Sequence, residues 1–240
     1  TVHKLNEGGT YSKLQDLTGV GAYGKYVTIS SDGTIIVTAS GNSPYFTVHK
    51  LNEDGTYSKL QNLTGVGTEG NDVTISTDGT TIVTASESAP CFTVHKLNED
   101  GTYSKLQDLT GVGANGRGVT ISPDGTTIVT ASASAPCFTV HKLNEDGTYN
   151  KLQNLTGVGA LGNGVTISPD GTTIVTASYN STPYFTVHKL NEALKTIKFD
   201  NPPAADDTIT ADYFVDYIPK TEDYVLDVEF TLQFGEGAMV

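Results

Sequence analysis

The sequence predicts an all-β chain built from one four-stranded antiparallel unit used repeatedly, and three observations carry that prediction. The stretch 119–132 (VTISPDGTTIVTAS), continued by 136–148 (PCFTVHKLNEDGT), recurs almost verbatim, with copies beginning at Thr1, Thr47, Thr93, Thr139 and Thr186. A period of 46 residues, one longer in the last copy, is the mark of a repeat architecture. The copies from Thr47, Thr93 and Thr139 each hold two Asp-Gly pairs between apolar runs, and Asp-Gly favours tight hairpin turns because Gly accepts positive φ. Thr, Val, Ile, Tyr and Gly dominate, Trp is absent, and helix signals are nearly missing, as expected of an all-β chain.

The unit divides into strands a to d. Strand a spans 119–122, with Val119 and Ile121 on one face. A Pro-Asp-Gly turn at 123–125 leads to strand b, 126–132, where the adjacent Ile128 and Val129 point to burial on both faces. Strand c covers 137–145, Asp146-Gly147 turns the chain, and strand d covers 149–155. The loop 156–164 then leads into the next strand a. Hairpin connection makes each unit a β-meander. It places the a–b and c–d turns at one end and the b–c and d–a loops at the other.

VTISPDGTTIVTAS…FTVHKLNEDGT resembles the blade repeat of WD40-like and lactonase-like β-propellers over residues 1 to about 192. Leu51, Leu97 and Leu143 stand where Trp is common in such blades, and the Gly-His signature is missing, which departs from the WD40 subfamily. The resemblance implies an all-β propeller of four-stranded antiparallel blades at 1–193, followed by a C-terminal β-hairpin module at 194–240. Residues 1–17 supply strands c and d only, and complete blades run 27–63, 73–109 and 119–155. The fourth has strands a to c at 165–192 and a divergent d at 194–199. About four and a half blades are therefore visible. Starting in mid-unit points to further blades upstream; a small ring closed by the end strands is the alternative.

In the tail, Tyr213 and Tyr217 share one face of an alternating strand, and Tyr224, Phe230 and Phe234 share one face of the next. An isolated hairpin is marginal, so this one is expected to serve assembly. The segment IKFDNPPAADDTITADYFVDYIPKTEDYVLDVEFTLQFGEG resembles C-terminal parts of structural proteins from tailed bacteriophages and tail-like particles. It implies an oligomeric virion component on the particle exterior, or an extracellular one. The hairpin would dock to other virion subunits while the propeller faces a host-surface glycan or protein.

A formal net charge of −13 argues against nucleic acid and anionic membrane as partners, since both need a basic face. No apolar run is long enough to cross a bilayer as a helix. Cys91 and Cys137 fill one slot in neighbouring copies, too far apart to bridge, and are expected as free, buried, inert thiols. Gly-x-Gly-x-x-Gly occurs four times, but a strand follows it each time, whereas a phosphate cradle needs a following helix. One His per copy (His3, His49, His95, His141, His188) does not converge on a metal, and the Asp-Gly carboxylates are too sparse for calcium. No catalytic constellation stands out, and no cofactor is expected.

The copies differ at one end. The d–a loops contribute Tyr23, Lys25, Tyr26, Glu69, Asn71, Asp72, Asn115, Arg117, Leu161 and Asn163; the b–c loops contribute Asn42, Glu87, Tyr179 and Asn180. Variable loops on a rigid scaffold are where recognition concentrates. These residues are the candidate partner-binding set. A non-enzymatic recognition protein is the expected function. The alternatives are a lactonase-type propeller hydrolase, which needs different acidic and His residues from several blades, and an intracellular interaction scaffold.

Overall fold

The computed structural model describes residues 1–190. Residues 191–240, with the expected assembly hairpin and the fourth copy's strand d, lie outside the described residues.

Among the described residues, seventeen strands form five antiparallel sheets. The first sheet pairs only β1 (Val2–Leu5) and β2 (Tyr11–Gln15). Three four-stranded blades follow. They are β3 (Gly24–Ile29), β4 (Ile35–Ser40), β5 (Phe46–Leu51) and β6 (Tyr57–Asn62); β7 (Gly70–Ile75), β8 (Thr81–Ser86), β9 (Phe92–Leu97) and β10 (Tyr103–Asp108); and β11 (Gly116–Ile121), β12 (Thr127–Ser132), β13 (Phe138–Leu143) and β14 (Tyr149–Asn154). The last described sheet holds β15 (Gly162–Ile167), β16 (Thr173–Ser178) and β17 (Phe185–Lys189). Every sheet keeps sequence order, so each is a meander. Consecutive blades meet through their first strands, β3 on β7, β7 on β11 and β11 on β15, as in a β-propeller.

Local chemistry makes the turns. In the second blade Ser76 Oγ donates to Asp78 Oδ1 at 2.5 Å, and the same carboxylate oxygen accepts from the Thr80 backbone N–H at 3.0 Å. Ser76 Oγ in turn accepts the Thr81 N–H at 2.9 Å, so one Ser-x-Asp-Gly sequence satisfies the whole a–b turn. These bonds hold Asp32 below the usual carboxylate range, chiefly through Ser30, and hold Asp170 down at about 2, chiefly through Ser168. The Asp-Gly carboxylates therefore build turns.

The core lies between blades. Val37, Ala39, Phe46 and Val48 of the first complete blade meet Val73, Ile75, Ile82 and Tyr103 of the next, and the pattern repeats one blade on. The Gly-x-Gly-x-x-Gly sequences serve this packing. Gly65 has φ +69°, a Cβ on Gly67 would collide with the Ser88 carbonyl, and one on Gly70 would lie 2.8 Å from the Phe46 ring. Strand a thus begins at the third glycine, three residues before the predicted start, because that glycine is where the preceding Phe lands. At the rim, Gln61 clasps the next blade's backbone, donating to Tyr103 O at 2.7 Å and accepting from Tyr103 N at 2.8 Å. Gln15 and Gln107 do the same to Tyr57 and Tyr149.

The histidines tie loops down. Nε2 of His49, His95 and His141 donates to the carbonyls of Thr18, Thr64 and Thr110 at 3.0, 3.0 and 3.1 Å. Burial pushes these imidazoles below their ordinary pKa. Cys91 and Cys137 are free, but half-buried rather than fully buried, because their slot lies at the loop edge of strand c where Tyr45 also fits.

The described blades have two uncovered ends. Val27 and Ile29 on β3 are 59% and 52% exposed, while their counterparts Val73 and Ile75 are 0% and 8%. Phe185 on β17 is 75% exposed against 1% for Phe92. Phe92→Ala is expected to cost about 3–5 kcal/mol, whereas Phe185→Ala in the same slot should stay within about 0.5 kcal/mol. Urea unfolding of the two variants checks this.

Candidate functional site

The d–a and b–c loops of each blade are hydrogen-bonded to each other, so the variable residues do share one end. Gly41 N donates to Tyr23 O at 2.8 Å, Glu87 N to Glu69 O at 3.0 Å, Ala133 N to Asn115 O at 2.9 Å and Tyr179 N to Leu161 O at 2.8 Å. The four acceptor residues of these bonds stand at φ between 54° and 60°, a left-handed conformation uncommon for non-glycine residues. Such a conformation persists only where the surroundings hold it; here the bond to the neighbouring loop does so. Asn180 also has positive φ. Each b–c loop carries a cis X–Pro bond, at Pro44, Pro90, Pro136 and Pro183.

Two residues after each left-handed position the register of strand a slips. Gly24 pairs with Ser40 but Tyr26 with Ala39, and the same break occurs at Gly70/Asp72, Gly116/Gly118 and Gly162/Gly164. Lys25, Asn71, Arg117 and Asn163 are the extra residues of these β-bulges. A bulge frees one side chain from the ladder and re-aims it. Sequence reasoning found these residues as variable loop positions and missed the bulge. The signal was a glycine beside or within a strand start (Gly116-Arg117-Gly118, Gly162-Asn163-Gly164), which often marks one.

The bulges link blades. Lys25 Nζ donates to Asn71 Oδ1 at 2.8 Å and lies 3.6 Å from Glu69 Oε2. Asn71 Nδ2 donates to the Gly116 carbonyl at 2.8 Å and to Glu87 Oε2 at 3.1 Å, and Asn115 Nδ2 donates to Glu87 Oε1 at 2.5 Å. Asn71, Glu87 and Asn115 are half-buried here, so this part of the candidate set braces the loops of three blades to one another. Asp72, also half-buried, braces the inner strands. Its Oδ2 accepts from Val119 N of the next blade at 2.9 Å, and its Oδ1 from Val73 N at 2.8 Å. The remaining candidates stand out from this frame. Tyr23, Tyr26, Leu161 and Tyr179 are 77%, 53%, 40% and 67% exposed, and Asn42, Arg117, Asn163 and Asn180 are exposed as well.

Burial pushes the Asp72 carboxyl up to about 6, against the two backbone N–H groups that favour its charged form. The Asp72 carboxylate and burial in turn push the Tyr26 phenol up. A carboxyl whose folded pKa exceeds its unfolded value binds its proton more tightly when folded. Its contribution to stability is therefore greatest below the unfolded pKa near 3.8 and falls as pH rises to about 6. The stability of wild type relative to Asp72→Asn should drop by about 1–3 kcal/mol between pH 4 and pH 7, read from urea midpoints at each pH.

No family model matches the chain, and no curated protein matches it. Solved structures do. A functionally unknown protein from Desulfotomaculum acetoxidans matches with TM-score 0.57 and 19% identity over 80% of this chain and 57% of its own. A protein from Bacteroides uniformis, provisionally assigned as a 6-phosphogluconolactonase, matches with TM-score 0.62 and 18% identity, over 79% of this chain and 60% of its own. A protein from Lactobacillus plantarum matches with TM-score 0.63 and 17% identity over the same shares. At these identities the likeness establishes the β-propeller fold alone, and this chain spans about three fifths of the length of those structures.

Proposed function

We propose that this chain is a non-enzymatic recognition protein whose propeller presents its bulged loop face to a surface glycan or protein. The observation that carries this reading is where the copies differ. Their turns at one end are nearly identical, and their differences collect at the other, on loops bonded to each other within each blade and, among the first three blades, across blades. Tyr23, Tyr26, Arg117, Leu161 and Tyr179 project there, with the exposed amides of Asn42, Asn163 and Asn180 among them. Tyr and Arg are the residue types that most often anchor an interface. A rigid platform also spares the partner the cost of ordering loops on binding. In this proposal the protein sits on the exterior of a phage particle or elsewhere outside the cell, and its attachment is left to residues 194–240.

A propeller hydrolase is the second reading, favoured by the fold likeness to the Bacteroides uniformis protein and its provisional assignment as a 6-phosphogluconolactonase. Among the described residues, burial raises the carboxyl of Asp72 toward neutrality, the property of a general acid or base. The triple variant Tyr23→Ala/Arg117→Ala/Tyr179→Ala should fold as wild type and lose at least tenfold in capture of glycans or surface proteins. Unchanged capture sinks the recognition reading. Hydrolysis of 6-phosphogluconolactone by wild type but not by Asp72→Asn would establish the second.

A further inference from the structure

The four bulge positions are related by the repeat, so each blade junction can be compared with the others inside one molecule. At the first junction Lys25 projects from its bulge and is answered by the next blade: Glu69 supplies a carboxylate at 3.6 Å and Asn71 an amide oxygen at 2.8 Å. At the third junction Arg117 takes the place of Lys25, and Asn163 takes the place of Asn71. The place of Glu69 is taken by Leu161, at the same left-handed backbone position. The cation is kept and its carboxylate is missing. No described carboxylate pairs with Arg117.

The floor of this junction differs as well. Tyr26 and Asp72, which follow the bulge at the first junction, are replaced by Gly118 and Gly164. The two backbones come close: a Cβ on Gly118 would lie 3.1 Å from Gly164 Cα and 3.2 Å from Asn163 O. The side chains of Tyr26 and Asp72 therefore have no counterparts next to Arg117 in register, while on the fourth blade the Tyr179 N to Leu161 O bond holds Leu161 and Tyr179 at the places that Glu69 and Glu87 take in the second blade. An exposed guanidinium offers two parallel N–H donors that fit a carboxylate or sulfate fork. An exposed Tyr ring offers an apolar face with a polar tip.

We propose that the junction of the third and fourth blades is a subsite for the anionic group of an acidic saccharide. The ligand's carboxylate or sulfate occupies the place that Glu69 fills at the first junction. Arg117 pairs with that group, Asn163 hydrogen-bonds beside it, and Tyr179 packs on the sugar ring. This subsite rests on the recognition reading above and names the ligand class for it.

The test uses the full chain, labelled with ¹⁵N and titrated with three oligosaccharides of equal length: a hexuronate, a sulfated one and a neutral one. At least one acidic probe should bind fivefold or more tightly than the neutral one, and which probe does so tells carboxylate from sulfate. Arg117→Gln should abolish the preference, and Arg117→Lys should retain part of it. Leu161→Glu, which restores the internal carboxylate, should abolish it with Arg117 in place. Glu69→Leu should open a second acidic-probe response at Lys25. Equal binding of all three probes, unaffected by Arg117→Gln, overturns the subsite while leaving the recognition face standing. No binding of any probe also overturns the subsite, and the recognition face is then judged by the capture of surface proteins.

Discussion

Each blade depends on the burial of one apolar sheet face against the next. A four-stranded meander with Val83, Ala85, Phe92 and Val94 on one side has no interior of its own; its core exists only where the following blade supplies Val119, Ile121, Ile128 and Tyr149. The hydrophobic effect scales with the apolar area removed from water, so each added blade stabilises the one before it. The glycines at the strand starts belong to the same constraint. Phe92 is 1% exposed because Gly116 leaves room for its ring, and any side chain there would push the blades apart.

That constraint governs where the sequence is free to vary. Residues facing a neighbouring blade must match it, and they are almost identical from copy to copy. The a–b turns are held by their own Ser–Asp–Thr bonds and vary little. What remains is the opposite end, where the b–c and d–a loops meet. Even there the freedom is divided. Asn71, Glu87, Asn115 and Asp72 spend their polar groups on cross-blade bonds, which orders the loops. Tyr23, Arg117, Leu161 and Tyr179 do not take part in that frame and remain available to solvent.

Function does not follow from a propeller fold, which hosts unrelated chemistries. It follows from asymmetry between blades, since identical copies arranged about an axis cannot supply acid, base and binding groups in different roles. Here the asymmetry is a charged, amide-rich and tyrosine-bearing surface, with the carboxyl of Asp72 pushed up to about 6 by burial.

Much of this was legible in the sequence, because its signals are local. Asp-Gly pairs dictate tight turns, alternating apolar residues dictate half-buried strands, and a verbatim repeat dictates equivalent blades. The blade pattern, the strand order and the end at which the copies differ all follow from these. The sequence could not reveal what depends on a neighbour 42 to 47 residues away: the Gln61–Tyr103 clasp, the Lys25–Asn71 bond and the Asp72 link to Val119. Asn71 and Arg117 read alike as variable polar loop residues. Only the tertiary structure separates them: both are bulge residues, but Asn71 bonds to Gly116 of the next blade and to Glu87, whereas Arg117 has no described carboxylate partner and Leu161 stands at the place equivalent to Glu69.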